Sequence, residues 1–588
     1  MPDYSDGGGG GDDSSSRFTA SEATPLLRSE NTSQTSRSSS SSRTDAPRQD
    51  GVSDLDEPNL KVSRRRAIAI MISVYILIFL QASNMSGMTM AQSTIAADLD
   101  AYEEAIWFTA AYLIAMASFG PLAGRLAAIF SPRTIILVTS CFFVVGGLVT
   151  ARAYSLPVFI LGRVMTGIGG AGIFVLAMIL VLELTSKRKR GLFVGLVNSG
   201  FTTGVSLGAV VFGALIPVTG WRFLFWIQSP LGALAGLGVY FSLPKNFNAE
   251  KGGKASSTFE KVKQIDYLGA FLLTGTLVLF LYGLSGSIQL TPILVSLGTL
   301  ICFVLVEYFV ASDPIIPIAV LQSRGALLSC FSQLGFMAAR WTVLFYAPIT
   351  ALAVFGFSPG ASGSMLVPTN LGFGIGGLLV GWLHVKRTGS FWSACLVSIV
   401  LFGLSLLVLS FISSPAVPTW VYVGVVFVNG LFTGAALNYT LAHMLHLTPA
   451  STHYVSTSLL GTFRGFAGSF GSAIGGGIFS RTLRHGLEKG FKTVDNTGRL
   501  SAERRELIKK LIGSPALVYN GGLGDVDQQV AVQGYVSGLK VLFQAAVVLV
   551  VIVLVIQAAT GWNGPQNLKE DPEEVREAAE EHDPEFET

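Results

Sequence analysis

Three arginines stand inside runs of apolar residues: Arg163 in Leu161-Gly162-Arg163-Val164-Met165-Thr166-Gly167, then Arg340 and Arg464. A guanidinium surrounded by hydrocarbon costs about 2.5–3.5 kcal/mol on insertion scales, so each needs polar partners or a wet cavity. The chemistry open to them is the holding of charge: organising protons, or meeting a ligand. The alternatives are a snorkelling or gate-bracing role for Arg163 and helix packing for Arg464, whose run is rich in glycine. Two carboxyls lie in similar surroundings, Glu183 and Glu307. Burial raises a carboxyl pKa, so either suits a proton carrier; the competing reading is a boundary residue paired with a nearby Lys or Arg. Amides at Asn84, Gln81, Gln92, Asn429 and Asn438 can hydrogen-bond a ligand or a neighbouring helix.

Other residue types exclude other chemistries. No nucleophile stands with a base and an orienting acid, so an enzyme is not expected. His443, His446 and His453 are poorly spaced for a closed metal site and read as surface histidines near a helix end. The glycines of Gly167-Ile168-Gly169-Gly170-Ala171-Gly172 follow no strand, which removes a dinucleotide loop and leaves close helix packing. Cys141, Cys302, Cys330 and Cys395 all fall in apolar runs and read as small buried hydrophobes. No cofactor, metal or nucleic-acid partner is expected.

The elements that must position these residues are set by hydropathy. Half of the 588 residues (50%) are hydrophobic, 13% are charged, and mean hydropathy is +0.55. Roughly fourteen apolar runs, each about twenty residues long, extend from Ala67 to Ala559, and about twenty apolar residues in a helix cross a bilayer. Only a helix satisfies its own backbone in lipid, so the class is an all-α membrane protein. The expected spans are 67–90, 105–127, 134–151, 157–182, 191–216, 222–243, 267–286, 291–311, 326–352, 361–385, 391–413, 418–445, 455–480 and 536–559. Positive charge marks the cytosolic side. Arg64, Arg65 and Arg66, then Arg133, Lys187 to Arg190, Lys245 to Lys263, and Lys386 with Arg387 all fall on one side if the spans alternate. Both termini are then cytosolic. The segment 481–532 reads as a long extracytosolic loop, with a short amphipathic helix over 501–512.

Residues 1–60 are a Ser-, Gly- and Asp-rich tail. Within it, Glu22 precedes the pair Leu26-Leu27 at the spacing of an acidic dileucine sorting signal, which implies a possible sorting adaptor. Residues 561–588 form an acidic tail.

Five motifs then resemble one family in order. Gly220-Trp221-Arg222-Phe223-Leu224-Phe225-Trp226-Ile227-Gln228-Ser229-Pro230-Leu231-Gly232 resembles the segment opening the sixth helix of the fourteen-helix drug:proton antiporters of the major facilitator superfamily. Asp266-Tyr267-Leu268-Gly269, Asp313-Pro314-Ile315-Ile316-Pro317, Gly356-Phe357-Ser358-Pro359 and Phe463-Arg464-Gly465-Phe466-Ala467-Gly468-Ser469-Phe470-Gly471 resemble later landmarks of that group. Fungal efflux pumps and vacuolar basic amino acid transporters are similar as well. Three departures stand out. The family's gate motif keeps Gly124, Arg125 and Arg133, but Ala128 replaces its acid. Asn84 stands where the first helix usually has an acid. The fifth helix keeps the ladder Gly200, Gly204, Gly208 without the usual proline.

The resemblance implies two six-helix bundles plus two inserted helices: 61–245 as the first bundle, 246–265 as a linker, 266–312 as the insert and 313–560 as the second bundle. The function implied is a secondary active transporter that exports small organic compounds in exchange for protons. Loading of basic amino acids into a vacuole is the alternative, and a transporter-like nutrient sensor is a further one. The residues expected on the substrate or proton pathway are Asn84 and Arg163, at positions the resemblance marks, with Glu183, Arg340 and Arg464 added by their charge in apolar runs; the membrane expected is the plasma membrane or the vacuolar membrane.

Overall fold

The computed structural model describes residues 63–185, 190–244, 266–285, 288–310, 323–383, 390–448, 453–495 and 499–562. The tail with Glu22, Leu26 and Leu27, the linker 246–265, the Asp313–Pro317 motif, Lys187–Lys189, Lys386 with Arg387 and the acidic tail lie outside the described residues.

The described chain is helical throughout its ordered elements. The first five helices are α1 (Arg64–Asp98), α2 (Ile106–Ile129), α3 (Pro132–Ala151), α4 (Leu156–Leu184) and α5 (Arg190–Ser242). The insert supplies α6 (Tyr267–Ser285) and α7 (Leu290–Phe309). Then follow α8 (Arg324–Ala353), the short α9 (Pro359–Gly363), α10 (Leu366–Leu383), α11 (Trp392–Ile412), α12 (Thr419–Leu447) and α13 (His453–Val494). The chain ends with α14 (Ala502–Gly513), α15 (Leu517–Asn520) and α16 (Asp525–Ala558).

Local chemistry sets several of the ends. The hydroxyls of Ser131, Ser323, Ser358 and Ser501 each accept an N–H from the first turn of the helix that follows. The Asp266 carboxylate does the same for the Gly269 N–H, at 2.7 Å. Pro132 and Pro359 sit in first turns, where a missing N–H costs nothing. Gly220 breaks α5 with φ 74°, a conformation a side chain disfavours, so α5 crosses once before it and once after it.

Twelve helical stretches are long and apolar enough to cross a membrane. The stretch Gly195–Ser242, broken at Gly220, supplies two crossings, and α13, though less apolar, packs beside α8 and α16. Counted so, the helices are compatible with the expected fourteen.

Helices α1 to α5 pack on one another as one bundle, and α8, α10 to α13 and α16 as another. The inserted pair α6 and α7 pack together, with α6 against α2 and α13 at the seam. Within the first bundle, α5 lies directly on α1. A Cβ at Gly204 would come 2.6 Å from the Phe79 carbonyl, and one at Gly208 would meet the Ser83 backbone. A Cβ at Gly200 would come 3.1 Å from the Tyr75 ring. The ladder's small residues therefore bring two backbones into contact, as membrane helices do with glycine.

Among the described residues, the contacts between the bundles gather toward one end. There Ser206 donates to the Leu366 carbonyl at 3.4 Å, and Asn370 donates to the Ser206 hydroxyl at 2.8 Å. A Cβ at Gly213 would strike the Pro359 carbonyl, and one at Gly363 the Ala209 carbonyl. Along α2 and α13, Leu113 faces Gly468 and Ile106 faces Gly476. Toward the other end that seam parts: nothing lies within 4 Å of a Cβ placed at Gly120, Gly461 or Gly465.

The segment 481–532 differs from the loop expected. Helix α13 continues to Val494 and α16 begins at Asp525, because the loss of hydropathy marks exit from the bilayer and not the end of a helix. The short helix does occur, as α14, one residue displaced from 501–512. Between these helices the chain lies over the closed end and touches both bundles. Gln92 donates to the Gly513 carbonyl at 3.3 Å, the Ala516 N–H to Ser93 at 3.4 Å, and Tyr519 to the Val354 carbonyl at 3.0 Å. Arg504 ties the segment down through Asp527 at 2.7 Å and Asp495 at 3.0 Å. Those two carboxylates, Asp527 first, hold its guanidinium above the usual arginine pKa.

Candidate functional site

Arg163 is fully buried near the closed end of α4. Its Nη1 donates to the Asn84 side-chain carbonyl at 2.5 Å, and its Nε donates to the Phe108 backbone carbonyl at 2.9 Å. The guanidinium carbon lies 4.7 Å from the Tyr112 ring centre and 5.8 Å from that of Phe225. Asn84 then donates to the Gln228 side-chain carbonyl at 2.9 Å. One side chain thus gathers α1, α2 and both of the α4 and α5 walls of the first bundle. Its Nη2 has no partner. Tyr112 extends the cluster by donating to the Gln81 carbonyl at 3.5 Å.

Arg340, 2% exposed on α8, forms a second centre. Its Nη1 donates to the Thr369 hydroxyl, and its Nη2 reaches the Thr369 carbonyl at 3.4 Å and the Asn370 side-chain carbonyl at 3.3 Å. Asn370 continues to Ser206 on α5, so this centre reaches across the seam between the bundles.

Arg464 on α13 is separate from both. It is partly accessible. Its guanidinium takes part in no hydrogen bond, ion pair or ring contact among the described residues.

These placements sort the residues expected from sequence. Asn84 and Arg163 come together. Arg340 and Arg464 stay apart from them and from each other. Glu183 lies on α4, 20 residues beyond Arg163, which is about 30 Å along a helix. That distance separates Glu183 from the Arg163 centre; its side chain is outside the description. Glu307 is 5% exposed on α7, one turn beyond Phe303, which clusters with Ala117 of α2 and Phe466 of α13. Of the gate motif, a Cβ placed on Gly124 would have among the described residues only Val175 within 4 Å, at 3.8 Å, and the Arg125 side chain is outside the description. Arg133 stacks 4.2 Å from the Tyr240 ring within its own bundle.

Other residues are redirected. Gln92 holds the capping segment, Asn429 bonds Ser405 at 2.8 Å between α12 and α11, and Asn438 bonds the Gly434 carbonyl of its own helix. His443 is fully buried and not a surface residue: its Nε2 pairs with Gly561 at 3.0 Å and Thr560 at 3.2 Å, closing the end of α16. Cys141 and Cys302 are exposed, on helix faces that meet lipid in a membrane, while Cys330 and Cys395 are buried.

Sequence reasoning missed Gln228, Tyr112, Ser206, Thr369 and Asn370 as members of these centres. Gln228 carried a signal, since it lies within the motif that starts at Gly220. Ser206 and Asn370 carried none, because their partner is on the other bundle.

No described residues group as His, Cys, Asp or Glu ligands for a metal. Fully buried cations held by amides, a hydroxyl, carbonyls and ring faces leave charge recognition as the chemistry this arrangement offers.

The comparisons agree with a transporter fold. Residues 72–472 match the model of the Major Facilitator Superfamily. The chain is 24% identical over 505 residues to MFS transporter L2 of Phoma sp., covering 83% of this chain and 81% of that protein. It is 26% identical over 510 residues to the efflux pump FUS6 of Gibberella fujikuroi, covering 83% and 88%. Among solved structures, a bacterial homologue of the human lysosomal transporter Spinster, captured inward-facing and unoccupied, superposes with TM-score 0.57 and 14% identity over 85% of this chain and 98% of that one. On the match across most of its length, with the helical architecture above, the chain belongs to the major facilitator superfamily.

Proposed function

We propose that the chain is a secondary active transporter that moves small organic compounds out of the cytosol by alternating access, in exchange for protons. The observation that carries this reading is the seam: among the described residues the bundles touch at one end, beside the buried Arg163 and Arg340 centres, and stand apart at Gly120, Gly461 and Gly465 toward the other. That is one half of a rocking cycle about a central site. Arg64, Arg65, Arg66 and Arg133 lie at the open end, so the charge rule supports a conformation that opens to the cytosol. Relatives named as efflux pumps support export.

The Arg163–Asn84 pair holds an amide and a guanidinium, and neither titrates near neutral pH. A proton exchanged for the compound therefore has to travel on another group, and Glu183 and Glu307 are the carboxyls left within the apolar segments. Cations held without a carboxylate disfavour basic amino acids as cargo.

The test uses sealed vesicles that carry the full chain and an imposed acid-inside gradient. Labelled hydrophobic organic compounds should accumulate, and a protonophore should collapse that accumulation. Gradient-driven uptake of lysine or arginine instead, or no uptake of any compound, would contradict the proposal.

A further inference from the structure

The second bundle is short of negative charge. Helices α8, α10, α11 and α12 contain no Asp or Glu, and the one acid of α13, Glu488, lies beyond Arg481 and Arg484, near the far end of that helix. The acids of α16 are Asp525 and Asp527 in its first turn, and Asp527 is bound to Arg504. The ion pairs found among the described residues (Arg222 with Asp98, Arg484 with Glu103, Arg504 with Asp495 and Asp527) all belong to the closed end. Arg340 and Arg464 stand in apolar spans and form no ion pair with a carboxylate among the described residues; the buried Glu307 of α7 pairs with neither.

Arg340 is satisfied by neutral acceptors. Arg464 is not. It lies one helical turn before Gly468, on the same face of α13, since residues four apart lie one above the other. Gly468 is 3.3 Å from the Trp341 indole and 3.5 Å from Leu113 of the other bundle, measured to a Cβ placed on it. Two turns before Gly468, at Gly461, that face meets nothing within 4 Å, and neither does Gly465. Arg464 thus stands where the seam between α2 and α13 stops being closed. Its cation is partly accessible, and an indole wall lies one turn deeper. Trp341 in turn stacks on Phe345, with ring centres 5.3 Å apart.

We infer that this position recognises organic anions: Arg464 takes the acidic group of a compound whose planar apolar body packs toward Trp341 and Leu113. The inference deepens the transport reading and rests on it for the route of the compound, but binding can be measured without transport. An unbalanced guanidinium in a low-dielectric site attracts an anion more strongly than it would in water. It also holds a planar fork of donors matched to carboxylate or sulfonate oxygens. A cationic compound of the same shape meets repulsion instead.

The test is equilibrium binding to the purified full-length protein in detergent, read by tryptophan fluorescence. The probes are naphthalene-1-sulfonate, 1-naphthalenemethanol and a naphthyl trimethylammonium salt. The protein should bind the sulfonate at least about tenfold more tightly than the alcohol, or about 1.4 kcal/mol, and should bind the ammonium salt most weakly. Arg464→Gln should bring the sulfonate-to-alcohol ratio close to one, and Arg464→Lys should keep part of it. If Arg464→Gln does not yield folded protein, the Lys variant and the three probes on the unsubstituted chain carry the test. Equal affinity for sulfonate and alcohol in the unsubstituted protein, or a ratio unchanged in Arg464→Gln, would overturn the inference. Sulfonate selectivity without gradient-driven flux in vesicles would support the inference and count against the transport reading alone.

Discussion

Replacing Arg163 with Ala should reduce transport by about 100-fold or more, a loss of roughly 2.7 kcal/mol. The substitution removes the one group that touches Asn84, the Phe108 carbonyl, and the Tyr112 and Phe225 rings together. It also leaves the Asn84 side-chain carbonyl buried without its donor, which costs about 1–3 kcal/mol by itself. Initial rates in vesicles, normalised to folded protein in the membrane, check this; an unchanged rate would place Arg163 among packing residues. Asn84→Asp is the informative partner. It sets a carboxylate beside the guanidinium, in place of an amide that cannot titrate. Transport by the variant should gain a pH-dependent step that the unsubstituted chain lacks. Identical pH profiles would show that position 84 does not communicate with the cycle.

The second large effect is expected at the closed seam. A Cβ on Gly213 would strike the Pro359 carbonyl and come 2.9 Å from the Gly360 Cα, both backbone atoms that cannot rotate away. Gly213→Val therefore wedges α5 from α9. Overpacking of this kind costs about 1–3 kcal/mol. Because the strain is present in only one of the two states, the closed-end equilibrium should shift by about tenfold to a hundredfold toward separation. Spin labels at Tyr154 and Trp420, which are 81% and 76% exposed at that end, read the shift as a longer distance population. A distribution matching that of the unsubstituted chain would mean that the seam is not what holds this state.

Much of the fold was legible because hydropathy and lipid leave helices few alternatives. The start of α3 at Pro132 and the break between crossings at Gly220 follow from single residues with known backbone preferences. The ends of α13 and α16 were not legible. Arg484, Lys489 and Lys492 made that stretch read as loop, yet charged residues are good helix formers once outside the bilayer.

For the candidate site, the energetic cost of a buried guanidinium pointed to Arg163 and Arg340 from sequence alone. What it did not give was the partner. The Ser206–Asn370 bond joins positions 164 apart on different bundles, and no periodicity along one helix encodes such a meeting. His443 shows the converse: three histidines near a helix end look like surface residues until the end of α16 folds over one of them.

The central claim is that the sealed and parted ends exchange roles. The most direct measurement uses two label pairs in the full-length protein in lipid, Tyr154 with Trp420 at the closed end and Arg65 with Arg324 at the other, all exposed positions. Exposed Cys141 and Cys302 would be replaced beforehand. Across the transport cycle the account predicts opposite changes, with the first distance lengthening as the second shortens. Two distances that move together, or a second that stays fixed while the first changes, would contradict alternating access by this chain.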